Sequence, residues 1–321
     1  MIRGHMTTAS TVPVTREEEL EGDEALETLR RTGRLQLAWD AIARFRAADG
    51  FSHSRALAFQ ATLTLLPALI AIVGLAGALE IESFSRVVRD TIQSFAPGAV
   101  GDILTEALRQ GASAASEDSG ETALAGGGLA AAIAGTTTMA QVERGANRIY
   151  GTEKDRPFLR KYLNAALLAA TAGTLAVLSL VVLVGGAAVR DSVAWGDTVD
   201  AVWDVLRWPL GVVLAVGAIA LLFERAPRRR QPEASWLAFG AAIATILWLL
   251  FMAVLVVYVE AAGNFGATYG PIAGTIGVLL WTFLSSVALF LGLAFAAQLE
   301  AVRAGVPAPR VEREDNVPEA R

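Results

Sequence analysis

ASWLAFGAAIATILWLLFMAVLVVYV, residues Ala234–Val259, contains no charged side chain. An α-helix rises about 1.5 Å per residue, so roughly 20 apolar residues cross a hydrocarbon core about 30 Å thick. This run exceeds that length, and so does Pro271–Leu299, PIAGTIGVLLWTFLSSVALFLGLAFAAQL. Two adjacent stretches of this kind predict lipid as the solvent of an all-α, polytopic integral membrane protein. Working outward, Tyr162–Val189 is uninterrupted and strongly apolar, and Ala56–Leu79 is uncharged. Trp208–Phe223 reaches spanning length with Val205 and Leu206, and Thr122–Val142 is an uncharged stretch of Gly, Ala and Thr. Small residues allow close helix approach, and Thr can bond across an interface, so Thr122–Val142 reads as an inner helix. The expected spans are about 56–79, 122–142, 162–189, 205–223, 234–259 and 271–299.

Composition agrees with a membrane-embedded chain. Of 321 residues, 54% are hydrophobic and 18% charged, below the quarter usual in soluble domains. Mean hydropathy is +0.46. The chain has no cysteine, which excludes disulfides and thiolate metal sites, and only two histidines, His5 and His53. A net charge of −5 gives no support to nucleic-acid binding. With two lysines, Lys154 and Lys161, among 27 basic residues, and abundant Ala and Gly, the composition suggests a GC-rich bacterial genome.

Charge sets the expected orientation, because positive loops stay cytoplasmic. Arg30, Arg31, Arg34, Arg44, Arg46 and Arg55 precede the first span. Arg144, Arg148, Lys154, Arg156, Arg160 and Lys161 lie between spans two and three, and Arg225, Arg228, Arg229 and Arg230 between four and five. Arg303, Arg310, Arg313 and Arg321 follow the sixth. The alternate loops are acidic: Glu80, Glu82, Asp90, Asp102, Glu106, Glu117, Asp118 and Glu121 outnumber Arg86, Arg89 and Arg109. Asp191, Asp197, Asp200 and Asp204 likewise outnumber Arg190 and Arg207, and the last outer loop has Glu260 alone. Both termini are therefore expected in the cytoplasm of a bacterial inner (plasma) membrane protein, with anionic lipid headgroups meeting the Arg clusters. Residues 1–33, with an acidic cluster at Glu17–Glu27, are expected to be a disordered tail, and so are residues 304–321. Residues 34–303 form the expected six-helix domain, which leaves room for a homo-oligomer.

Interfacial elements are expected beside the spans. Leu35, Ala38, Trp39, Ile42 and Phe45 recur at three- and four-residue steps, with Arg34, Asp40 and Arg44 between them, predicting a cytoplasmic surface helix. Phe84–Phe95, Val100–Leu108 and Val199–Leu206 carry similar stripes on the outer side.

No ionisable residue occupies a span centre, which argues against a proton-coupled pump. The neutral polar residues are Gln60 and Thr64 on one helix face, Pro67, and the run Thr136–Thr138, Thr137 included. They either line a polar cavity or bond helices together. Tyr269, Gly270 and Gly274 mark a candidate hinge or close-packing face at an outer turn. Asn147, Arg148, Tyr150, Glu153 and Arg156 form a candidate cytoplasmic docking surface; the alternative is a local ion pair of Glu153 with Arg156 and an Arg148 that anchors its helix end. No metal site, catalytic set or cofactor motif emerges. Two histidines, one of them in the N-terminal MIRGHM, cannot build a histidine-rich nuclease centre.

Four segments together carry a family resemblance. Arg55–Pro67, RALAFQATLTLLP, is similar to the ALAYY…SLFP segment of the YihY/BrkB family of bacterial inner-membrane proteins, historically labelled ribonuclease BN. Asn147–Leu159, NRIYGTEKDRPFL, resembles its LNRIWG…RPFL, and Tyr269-Gly270 with Trp281 its YG…W segment. Gly292–Glu300, GLAFAAQLE, resembles its last motif, with Ala294 where an acid is common. The resemblance implies six spans and a plasma-membrane location, without a settled activity. A transporter- or exporter-like role is the expectation, the alternative a scaffold acting through partners; an enzyme is not expected.

Overall fold

The computed structural model describes residues 8–16, 22–78, 105–106, 120–183, 196–261 and 272–311. Among these the chain is almost wholly helical. The helices are α1 (Gly22–Thr32), α2 (Arg34–Ala47), α3 (Gly50–Ala78), α4 (Gly120–Ile149), α5 (158–183), α6 (Asp197–Arg225), α7 (Ala234–Ala261) and α8 (Ile272–Arg303). Within α5 the residues Ala169–Gly173 form a single widened π turn. One two-residue antiparallel pair, β1 (Thr8–Ala9) with β2 (Arg310–Val311), joins the two ends of the chain.

Among the described residues four helices are long and apolar enough to cross a membrane: Phe158–Leu183, Thr198–Arg225, Trp236–Tyr258 and Thr275–Arg303. Their outward faces are apolar and exposed. Leu163 and Leu167 on α5, Val205 and Val213 on α6, and Ile246, Leu250, Val254 and Val257 on α7 are all more than half exposed or close to it. A soluble monomer rarely shows contiguous apolar surface on this scale, because water penalises it; hydrocarbon does not. α3 and α4, at 29 and 30 residues, have the length to cross and pack most extensively on each other.

The core sits around α8, which packs on α7, α3, α2, α4 and α1. Over half of its apolar stretch (56%) is buried in protein, against 11–28% for the other three. α8 is thus the axis of the bundle, and the others expose a lipid-facing side. At the α7–α8 crossing, Gly240 and Gly292 bring the two backbones into contact.

Two observations depart from the sequence expectations. The segment expected as a separate helix near Val199–Leu206 is the first part of α6, continuous through Pro209. The tails expected to be disordered are ordered at residues 8–16, 22–32 and 304–311. α1 buries Ala25 and packs Leu29 against Leu37, Ala41, Trp236, Phe295 and Leu299, and Glu24 pairs with Arg303 at 3.0 Å. The acidic composition had masked Ala25 and Leu29, a four-residue apolar step that places both on one helix face. The stripe residues of Phe84–Phe95 and Val100–Leu108 lie outside the described residues, as do Tyr269 and Gly270.

Candidate functional site

The helix entering the bundle is two-faced. α2 buries Leu37, Ala41, Arg44 and Phe45 against protein and exposes Leu35, Trp39 and Ile42. Its exposed apolar stripe adjoins exposed Phe51 and suits an interfacial helix. Phe45, expected on the lipid stripe, is buried instead and stacks edge-on to Phe51 at 4.9 Å.

Inside the bundle, hydroxyls link α3 to its neighbours. Thr64 donates to the Gln60 carbonyl at 2.9 Å, so the 2.8 Å contact between Thr64 and Thr138 takes its proton from Thr138. Thr137 gives its proton to the Ala134 carbonyl at 2.7 Å and lies 3.4 Å from Gln60 Oε1, and Thr62 Oγ1 lies 3.1 Å from Thr282 Oγ1 of α8. The structure therefore brings Gln60, Thr64 and Thr137 together on the α3–α4 seam, with Pro67 one turn further along α3 and Gly274 near the start of α8. Interhelical hydrogen bonds of this kind contribute about 0.6 kcal/mol on average in lipid, rarely above about 1.7. A double-mutant cycle of Thr64→Val and Thr138→Val, read by unfolding in mixed micelles, is expected to give a coupling near that average. A coupling of zero would mean the pair does not close in the membrane.

Next to this seam lies a cavity of about 280 Å³ among α3, α4, α6, α7 and α8. Leu57, Ala61, Met139, Leu222 and Leu289 make its apolar wall, and Thr138, Thr282, Ser285 and Ser286 its hydroxyl fringe. Gln60, Thr64 and Thr137 do not line it. Trp248, across the space, donates to Ser285 Oγ at 3.1 Å. No ionisable side chain is among the lining residues. Three of the four hydroxyls spend their protons on the helix: Thr282, Ser285 and Ser286 bond to carbonyls one turn back. The hydroxyls thus offer the interior few donors, and with no charge among its lining residues the cavity suits an apolar group more than an ion.

The polar chemistry is concentrated at one end of the bundle, where segments 8–16, 143–161, 224–231 and 298–311 meet. Asn147 and Tyr150, expected on a docking surface, are fully buried there. Asn147 donates to Asp155 at 3.0 Å and accepts from the Arg228 backbone N–H at 2.7 Å. Arg148 holds the carbonyls of Thr152 and Glu153, closing its helix end. Arg156 pairs with buried Glu143 at 2.9 Å, not with exposed Glu153, and also binds the carbonyls of Arg225, Ala226 and Pro227. Desolvation would raise the Asp155 carboxyl, but hydrogen bonds from Lys161 and Asn147 and the charge of Lys161 outweigh it, holding Asp155 at about 2. These residues staple the 150–157 connection to the 225–231 connection, and most of their polar groups are already occupied.

Two further arginines went unrecognised in the sequence. Arg44 is completely buried; its Nε donates to Gln298 Oε1 and its Nη2 to Ser10 Oγ, both at 2.8 Å. Its Nη1 reaches the carbonyls of Ser10 at 2.8 Å and Ile149 at 3.2 Å. Arg229 grips Glu300 at 2.6 and 3.0 Å and lies 4.5 Å from the centre of the Tyr150 ring. Burial lowers the Arg44 guanidinium to about 10, which leaves it protonated at neutral pH. Burial, helped by the nearby Glu300 charge, pushes the Tyr150 phenol up. Among the described residues no group of three or more His, Asp and Glu could hold a metal ion.

Comparison with known proteins places these features in a family. The model of the family described as Virulence factor BrkB matches residues 41–316. A ribonuclease-like protein of Bacillus subtilis (strain 168), YfkH, is 27% identical over 255 residues, 78% of this chain and 90% of its own. The UPF0761 membrane protein azo3165 of Azoarcus sp. (strain BH72) is 25% identical over 260 residues, 80% of this chain and 62% of its own length. A second UPF0761 membrane protein, IL2447 of Idiomarina loihiensis, is 25% identical over 114 residues, 36% of this chain and 40% of its own. No solved structure matches. With the match running from within α2 past β2, and with lipid-facing helices throughout, the chain belongs to the BrkB family of membrane proteins.

Proposed function

We propose that this chain is a transporter- or exporter-like protein of the bacterial plasma membrane, with six spans and both termini cytoplasmic, whose substrate is amphipathic. The intramembrane cavity carries the proposal. It is uncharged, mostly apolar, edged by hydroxyls, and nearly twice the volume of a roughly 150 Å³ apolar protein cavity that takes up benzene. An inorganic ion would find no counter-charge there, whereas the apolar part of an amphipathic molecule would lose nothing by entering. Supporting the orientation, the four segments that meet at the polar end are those an even number of crossings returns to one side. They also carry 11 of the 25 Arg residues of the chain.

The ribonuclease-like name belongs to the Bacillus relative. Cleavage of RNA needs an acid, a base or a metal presented to a phosphodiester, and the conspicuous buried carboxylates here, Glu143 and Glu300, are each bound by an arginine.

The protein reconstituted in vesicles is expected to move single-chain amphiphiles of medium length faster than protein-free vesicles do. Ala61→Phe, which fills the cavity from α3, is expected to cut that flux at least about tenfold with little change in melting temperature. Flux equal to that of empty vesicles across the amphiphile series would refute the proposal, and so would an Ala61→Phe protein of unchanged flux.

A further inference from the structure

The polar end holds a second site, independent of the cavity. Its charges do not balance: Arg44 from α2 and Arg229 from the 226–233 connection face one carboxylate, Glu300 of α8. Two positive charges against one negative leave one buried positive charge over, and an unbalanced buried charge costs several kcal/mol unless something anion-like lies against it. Here that something is main chain. Residues 8–16 cross the site as an extended strap, and Ser10 presents its carbonyl and its hydroxyl to Nη1 and Nη2 of Arg44, each at 2.8 Å. The Pro13 carbonyl takes Nη2 of Arg229 at 2.9 Å. Two oxygens across the fork of one guanidinium and a third on its neighbour reproduce the way arginines hold a phosphate. Arg229 Nε, also buried, has no acceptor, so the site keeps a donor that the strap does not use.

The strap is a thin cover. Ala9, Ser10 and Val12 point inward and are buried, while Thr11, Pro13 and Val14 are exposed. Its backbone is held by the two-residue β1–β2 pair, by Ser10 N–H to the Pro309 carbonyl and by Val12 N–H to the Tyr150 carbonyl, both at 3.2 Å. The Ser10 and Thr11 hydroxyls add bonds to the carbonyls of Ala308 and Gly151; even so, a short extended segment near a terminus, outside any helix, belongs to the low-stability end of a fold. The chain is also shaped to receive it. Gly151 has φ +70°, and a Cβ there would come within 2.7 Å of the Thr11 backbone, so any other residue would push the strap away.

We propose that Arg44 and Arg229 form a binding site for a phosphate oxyanion at the cytoplasmic end, and that residues 8–14 occupy it as a displaceable strap. The phosphate could come from a lipid headgroup, since α2 lays an exposed apolar stripe beside the site, or from free solution.

The absence of native cysteine gives a direct test on the full chain. Thr8 and Val311 are directly paired across the antiparallel strands, at a separation suited to a disulfide. In a Thr8→Cys, Val311→Cys protein, oxidation locks the strap and reductant frees it. Inorganic phosphate binding is measured by equilibrium dialysis in phosphatidylcholine nanodiscs. Phosphatidylglycerol retention is measured by native mass spectrometry from nanodiscs containing both lipids. At least one probe is expected to bind about tenfold more weakly to the locked protein, with recovery on reduction and no such change for chloride at equal ionic strength. A response to phosphatidylglycerol alone assigns a headgroup, and a response to inorganic phosphate a soluble anion. Equal affinity of locked and reduced protein for both probes would overturn the proposal, as would an equal response to chloride.

Discussion

Glu300→Ala is expected to destabilise the protein by about 3–5 kcal/mol, the usual cost of removing one partner from a buried ion pair. Glu300 and Arg229 bury nearly all of their side chains, at 1% and 5% exposure. Without the carboxylate, Arg229 and Arg44 would face each other with no counter-charge among the described residues that line the site. Glu300→Gln keeps an acceptor for one Arg229 N–H and removes the charge, so its loss is expected to fall between wild type and Glu300→Ala. A double variant with Arg229→Met is expected to lose less than the sum of the two single changes, because each single change strands the other partner. Denaturant unfolding in a fixed detergent, with abundance in membranes as a second readout, measures these differences. Were Glu300→Ala to cost under about 1 kcal/mol, water would have to reach the pair, and the buried charge imbalance would go with it.

The ion pair also shows where sequence reasoning stops. Hydropathy located α5, α7 and α8 closely because a lipid solvent writes its requirement locally, as an apolar run of a fixed minimum length. The Asn147–Leu159 segment stood out for the same local reason, and its residues do converge: Asn147, Tyr150, Gly151 and Arg156 all act at the polar end. Their roles were not legible. Arg156 was placed with Glu153, three residues away, but its partner is Glu143 one helix back. Glu300 stood out only as the end of the GLAFAAQLE motif, and its partner stands 71 residues away. Arg44 read as the polar side of a surface helix, yet it points inward to Ser10 and Gln298. In the last family motif Ala294 stands where an acid is common, and the acid buried in this stretch is Glu300, six residues on. Residues 8–16 have no periodicity of their own; the arginines that hold them are far away in sequence. Pairing across the bundle leaves no local trace, so these contacts needed coordinates.

Gly292→Val is expected to cost about 3 kcal/mol, at the top of the usual range for overpacking. A Cβ on Gly292 would lie 2.6 Å from the Gly240 carbonyl oxygen and 2.5 Å from Ala244 Cβ. From the other side, a Cβ on Gly240 would meet the Gly292 carbonyl oxygen and Ala296 Cβ, each at 2.7 Å. Both obstacles include backbone, which cannot rotate away as a side chain would, so α7 and α8 must separate. Lipid supplies no hydrophobic force to draw them back, since tails are as apolar as the residues they would meet; close packing is what holds the pair. The change also acts beyond its own contacts. α8 is the axis on which the cavity wall at Ser285–Leu289 and the polar end at Gln298–Glu300 are both mounted, so its displacement would disturb both. Gly217 is the internal control: a Cβ there meets nothing within 4 Å, and Gly217→Ala is expected to be neutral or stabilising by up to about 1 kcal/mol. Melting temperatures of the two variants in the same detergent decide the matter. If Gly292→Val melted with Gly217→Ala, the two backbones could not be in contact, and α8 would lose its place at the centre of the bundle.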